Sequence, residues 1–269
     1  MNEQLQKEGA MALVTGASSG IGLAYARELA RRGYDLLLVS NEQERIGTVA
    51  EELAAAFGVK TIPLCMDLAR SEAARELYDY CEREKLQIGI LVNNAGIFFF
   101  DDLTEVAPER IETMLLLHIR TVTLLCRYFG AAMKRRRAGY ILNMSSLSAW
   151  TPAPGISVYA ASKSYIRKFS QMLRYELHQY GVGVTTVCPG AIATGLYNLS
   201  DYYQRLALRL GVMMKPERLA RKGLRAMFAR RDYILPGAVN RFFVLALYLL
   251  PVQLIYYIKE HTKLYRYGR

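Results

Sequence analysis

Residues 10–22 read Ala10-Met11-Ala12-Leu13-Val14-Thr15-Gly16-Ala17-Ser18-Ser19-Gly20-Ile21-Gly22. The compact apolar run 10–14 passes straight into a glycine turn, and a segment of helical period follows to Arg32. Strand, glycine turn and helix in that order form a phosphate cradle. The glycines let the backbone approach a pyrophosphate, and the helix N-terminus adds unpaired N–H groups and a favourable dipole. A dinucleotide site is therefore predicted at Gly16, Ser18, Ser19, Gly20, Ile21 and Gly22.

Outward from this stretch the same alternation continues. Residues 35–40 read as a second strand, 42–57 as a helix, and 61–66 as a third strand ending at Asp67. A helix over 71–85 precedes the strand 88–92, which ends in Asn93-Asn94-Ala95-Gly96, and a long helical region covers 108–134. The short buried strand 140–144 ends in Ser145-Ser146, and a sixth strand, 183–187, ends in Cys188-Pro189-Gly190-Ala191-Ile192-Ala193-Thr194. Repeated β-α-β units predict an α/β fold, a doubly wound parallel sheet with helices on both faces. In such a sheet ligands bind at the carboxyl ends of the strands, where these polar and glycine motifs fall.

One distinctive motif lies on a helix instead. Tyr159-Ala160-Ala161-Ser162-Lys163 places a phenol and an ammonium four residues apart, on one helix face. A phenol titrates near pH 10, so it exchanges protons at neutral pH only when a fixed positive charge stabilises the phenolate. With 19 tyrosines in the chain, the pair alone could also be a solvated helix face. Ser146, at the end of the preceding strand, supplies a hydroxyl able to converge with Tyr159 on one substrate oxygen, which makes a carbonyl site.

Length and composition, 269 residues with 52% hydrophobic content, suit one large domain without a linker. Residues 1–9 lack a charged segment followed by an apolar one, so no secretory signal is expected and the location is read as cytoplasmic. Cys65, Cys81, Cys126 and Cys188 are widely separated and lack metal-ligand spacing; buried free thiols are expected, and no metal. Between residues 205 and 269 fourteen Lys/Arg face three Asp/Glu, a net +11 that equals the charge of the whole chain. Residues 242–258 form a seventeen-residue run without formal charge between Arg241 and Lys259. Basic flanks around an aromatic and aliphatic interior suit peripheral contact with an anionic membrane, here the inner face. Pro251 in the middle of a run at the short limit argues against a span. The alternative is packing on the rest of the chain or on another subunit. An apolar run between the charges is unlike a nucleic-acid surface, so no nucleic-acid partner is expected.

The chain resembles the short-chain dehydrogenase/reductase family over residues 10–194, on TGASSGIG at 15–22, Asp67, NNAG at 93–96, Ser146, YAASK at 159–163 and PG…T at 189–194. The resemblance implies a Rossmann-type sheet and an NAD(P)-dependent oxidoreductase that interconverts a carbonyl and a secondary alcohol. It implies Tyr159 as acid/base, Lys163 lowering its pKa and holding the nicotinamide ribose, and Ser146 bonding the substrate oxygen. It places Asp67 and Leu68 at the adenine, Asn94, Ala95 and Gly96 near the adenine ribose and cleft floor, and Ile192 and Thr194 at the carboxamide, with Pro189 and Gly190 in the same cofactor-binding loop.

Three features are particular to this chain. His118 stands where many members have an asparagine that completes a proton relay; the imidazole either serves that relay, titrating near neutrality, or is a hydrogen-bonded helix histidine. Ser40-Asn41 replaces the acidic residue that binds the ribose of NAD, and Arg45 lies one turn on, which favours NADP over NAD, against Glu42 and Glu44 nearby. Residues 195–240 read as helical and rich in Leu, Met and Tyr, including Leu196, Tyr197, Tyr202, Tyr203, Leu206, Met213 and Met214. The resemblance implies that this region covers the substrate, and an apolar cover fits a hydrophobic substrate such as a long acyl chain, a sterol-like ring system or a lipid ketone, the alternative being that these residues are core. Ile234-Leu235-Pro236-Gly237…Asn240-Arg241 and the apolar run after it, the start of the tail 241–269, resemble a bacterial-type subgroup. The family pattern also implies a homo-oligomer, dimer or tetramer, paired through the long helices. A nucleotide-binding regulatory or scaffold protein with little turnover is the alternative function, motivated by His118.

Overall fold

Strand β1 (Met11–Thr15) is buried at every position, as a strand covered on both faces must be. The same holds for β2 (Leu36–Ser40), β4 (Ile88–Asn93), β5 (Gly139–Met144) and β6 (Val182–Val187). The computed structural model describes residues 10–151, 154–194 and 213–237, together with 205, 208, 209, 211, 239–242, 244 and 261. Its central sheet has seven strands in the order β3-β2-β1-β4-β5-β6-β9, all pairs parallel, where β3 is Thr61–Cys65 and β9 is Tyr233–Ile234. The chain runs outward from β1 through β2 to β3, then returns to place β4 on the other side of β1. That reversal opens a crevice at the carboxyl ends of β1 and β4.

Side-chain alternation along the strands builds two cores. Ala12, Val14, Leu36 and Leu38 pack with α1 (Gly20–Ala30), α2 (Gln43–Phe57) and α7 (Pro216–Phe228) on one face. Met11, Leu13, Leu37 and Val39 pack with α3 (Ala73–Arg83), α5 (Val122–Arg136) and α6 (Ser157–His178) on the other.

The structure departs from the sequence reading in three places. The helical region 108–134 is not one helix: α4 (Pro108–Leu115) passes through a π-helical stretch, Leu116–Thr121, before α5 resumes the α-helical bond pattern. That wider turn carries His118. Residues beyond 194 are not all helical, because Met213–Met214 (β8) pairs with Ala191–Ile192 (β7) and β9 adds the seventh strand. Two-residue strands are too short for periodicity to reveal. Cys65 is exposed, since β3 is an edge strand with one open face, whereas Cys81, Cys126 and Cys188 are buried thiols. Among the described residues no helix is long and apolar enough to cross a membrane and no acidic, His and Cys group could hold a metal. The apolar run 242–258, apart from Phe242 and Val244, and the side chains Leu196, Tyr197, Tyr202, Tyr203 and Leu206 lie outside the described residues.

Candidate active site

The glycine turn after β1 folds back on the start of α1. Gly16 adopts φ 65°, and a Cβ on Gly22 would lie 1.9 Å from the Gly16 carbonyl oxygen, so only glycine closes this turn. Ser19 caps α1 without a side-chain hydrogen bond, leaving first-turn N–H groups for a ligand. Thr15 ties this turn to the one after β4: its Oγ1 accepts from the backbone N–H groups of Asn94 and Ala95, each at 3.0 Å. Asn94 Nδ2 donates in return to the Thr15 carbonyl at 3.0 Å. The two loops on either side of the crevice are therefore one hydrogen-bonded unit.

At one end of the crevice Ser40 Oγ donates to Ser18 Oγ at 2.9 Å, and Ser18 Oγ donates to Glu42 Oε2 at 2.5 Å. Arg45 Nη1 lies 3.9 Å from the other oxygen of the same carboxylate. Glu42, two residues past the strand tip, thus turns its carboxylate into the place where Ser40 and Asn41 are met.

At the other end β5 delivers Ser146, whose Oγ accepts from the Ser148 N–H at 3.1 Å and caps a short 3-10 turn. Helix α6 carries Tyr159 and Lys163, both buried. Lys163 Nζ donates to the Met144 carbonyl at 3.1 Å and sits 5.5 Å from the centre of the Tyr159 ring. Burial brings the Lys163 ammonium down to about 8, with nearby Cys188 opposing the shift. Phe98 meets the Tyr159 ring edge-on at 4.9 Å between centroids.

His118 is fully buried. Its Nε2 accepts from the Ile97 N–H at 3.0 Å, so the neutral ring carries its proton on Nδ1, 2.9 Å from Ser162 Oγ. Ser162 Oγ in turn donates to the Tyr159 carbonyl at 2.8 Å. Burial, and then the charge of Lys163, hold the imidazole pKa well below its ordinary value. The expectation that His118 titrates near neutrality is corrected on that ground. Both of its ring nitrogens are already committed to protein groups.

A single cleft of about 680 Å³ brings together every site residue singled out from the sequence except Gly22, which lies behind Gly16. Ser18, Ser40, Asn41, Asp67, Leu68, Asn94, Gly96, His118, Ser146, Tyr159, Lys163, Gly190, Ile192 and Thr194 are all on its wall. Sequence reasoning missed Thr15, Met144, Ser145, Ile97, Leu117 and Phe98. Thr15 had a signal, a lone hydroxyl at the end of an apolar strand; Met144 acts through its carbonyl, which sequence does not display. The glycine turn, the open helix N-terminus and a buried ammonium at the far end fit a dinucleotide along the cleft.

A family model for short chain dehydrogenase matches residues 10–201. The chain is 37% identical over 199 residues to the very-long-chain 3-oxoacyl-CoA reductase of Anas platyrhynchos, which covers 71% of this chain and 62% of that protein. It is 32% identical over 206 residues to the inactive hydroxysteroid dehydrogenase-like protein 1 of Homo sapiens, covering 75% of this chain and 61% of that protein. The chain thus spans less than two thirds of the length of these relatives. A short-chain dehydrogenase from Sphingobium yanoikuyae, solved in complex with NADPH, is similar in structure with a TM-score of 0.78 and 28% identity, covering 96% of this chain and 98% of that one. With a family match that extends over most of its length, and with this cleft, the chain belongs to the short-chain dehydrogenase family.

Proposed function

We propose that the protein is an NADP-dependent oxidoreductase that interconverts a carbonyl and a secondary alcohol on a hydrophobic substrate. The convergence of Ser146, Tyr159 and Lys163 at one end of a dinucleotide-shaped cleft carries the reading. NADP, when bound, supplies or accepts the hydride at the carbonyl carbon. Tyr159 gives the substrate oxygen its proton in reduction, Ser146 Oγ holds that oxygen, and the Lys163 ammonium favours the phenolate left behind. Gly16, Ser18, Ser19, Gly20, Ile21 and Gly22 cradle the pyrophosphate, Asp67 and Leu68 flank the adenine, and Ile192 and Thr194 hold the carboxamide. His118 positions rather than relays: its neutral ring joins the Ile97 amide to the backbone of Tyr159 through Ser162.

Preference for NADP rests on Arg45 and the Ser18 and Ser40 hydroxyls, and requires the half-exposed Glu42 side chain to swing off Ser18. The substrate class rests on the apolar surroundings of Tyr159 and on relatives named for very-long-chain acyl and steroid chemistry. Peripheral contact with anionic membranes rests on the net +11 carried by residues 205–269 and on Phe242, which is exposed. A homo-oligomer is proposed through the exposed apolar Leu115, Tyr165, Met172 and Tyr175 of α4 and α6. A nucleotide-binding protein without turnover is the second reading, favoured by the likeness to a relative named inactive. NADPH and NADH, each offered with a panel of long-chain 3-oxoacyl thioesters and steroid ketones, separate the two. Coenzyme binding with no oxidation on any ketone selects the second.

A further inference from the structure

Gly190 lines the cleft, and the space behind its Cα is filled by a residue fifty positions further along the chain. A Cβ on Gly190 would lie 2.5 Å from Asn240 Oδ1, 2.6 Å from its Nδ2 and 2.7 Å from its Cγ. A side chain at 190 would have to displace the Asn240 carboxamide, which occupies the space beside the Gly190 Cα. Gly190 does not have positive φ, so glycine serves here for space and not for backbone conformation. Asn240 is itself held, since its Nδ2 donates to the Pro236 carbonyl at 2.8 Å. Arg241 closes the same turn with bonds to the carbonyls of Gly237 at 3.3 Å and Leu235 at 3.1 Å. The turn hangs on the sheet where the Cys188 N–H donates to the Ile234 carbonyl at 2.9 Å. One step along the loop, the Pro189 carbonyl accepts from the Leu147 N–H at 2.8 Å, next to Ser146.

We propose that Asn240 is a positioning residue for the nicotinamide half of the cleft: its carboxamide is the back wall of the Pro189–Gly190 loop. The proposal rests on the dehydrogenase reading, in which residues 189–194 face the nicotinamide. It makes residues 235–237 and 239–241 part of the support of the coenzyme site.

The test uses the full chain and two probes, NADPH and 2′,5′-ADP, the latter filling only the adenosine half. Asn240→Ala is expected to weaken NADPH severalfold and leave 2′,5′-ADP unchanged. Gly190→Ala, which forces a methyl group into the carboxamide, is expected to weaken NADPH by about tenfold. The double variant Gly190→Ala/Asn240→Ala should regain most of that loss, because the space for the methyl group has been opened. Asn240→Ser supplies a milder form of the same change, should Asn240→Ala fail to fold. The proposal is overturned if the two losses simply add in the double variant, or if Asn240→Ala weakens both probes equally. Wild-type protein that binds neither these probes nor NADH would instead remove the dehydrogenase reading beneath it.

Discussion

Lys163 is the residue whose environment has the most direct consequence for pH. Its unfolded pKa is about 10.4, and burial brings it down to about 8 in the folded chain. Between those values the unfolded chain binds more protons, so the stability of the unliganded protein is expected to rise with pH across that window. Lys163→Met should flatten this part of the profile, measured as the urea midpoint at several pH values; an unchanged slope would place the ammonium in water. His118 has the same sign at lower pH, its depressed pKa costing stability on acidification. In catalysis His118 is expected to be silent, giving no inflection between about pH 5 and 8 that His118→Asn removes. A loss of such an inflection would return His118 to proton transfer. The Tyr159, Lys163 and Ser146 set was legible from spacing, because a helix and a strand end define where their side chains go. The state of His118 was not, because it depends on the Ile97 amide and on Ser162, which only the folded chain brings to either side of the ring.

At the scale of elements, the proposed function assigns coenzyme binding to the β1 turn and the loops after β2 and β4. Gly22→Ala puts a methyl group 1.9 Å from the Gly16 carbonyl oxygen, so the turn must open. The expected result is loss of coenzyme binding by at least tenfold, read by titration of NADPH fluorescence, with the sheet retained. Undiminished binding would show that the turn does not hold the pyrophosphate. Glu42→Gln removes a negative charge beside Ser18 and Arg45 and is expected to raise the preference for NADPH over NADH. A shift toward NADH would mean that Glu42 already binds ribose hydroxyls. The six long strands and their parallel sheet were legible because apolar runs and glycine turns alternate along the sequence; the strand order, with its switch point between β1 and β4, came only from the fold. β8 and β9 were not, because pairs of residues acquire strand geometry only from the neighbour they join. The π-helical stretch was hidden for a related reason: its apolar spacing is helical, and only the bond pattern differs.

For the molecule as a whole, the division of charge is the feature the fold leaves open. Residues 205–269 carry the whole net +11, and the neutral remainder holds the cleft. Binding to anionic vesicles is expected to weaken with salt through screening and to persist in part through inserted apolar side chains. Complete release by salt would leave charge as the sole attraction. The chemistry turns on one hydroxyl at the end of that cleft, that of Tyr159. NADPH oxidation should be followed with long-chain 3-oxoacyl thioesters and steroid ketones, for wild type and Tyr159→Phe in parallel, with NADPH affinity measured for both. The expected result is turnover by wild type on at least one ketone, a loss of about a hundredfold or more in Tyr159→Phe, and equal NADPH affinity. Tyr159→Phe retaining more than about a tenth of wild-type turnover would contradict the assignment of Tyr159 as the acid/base.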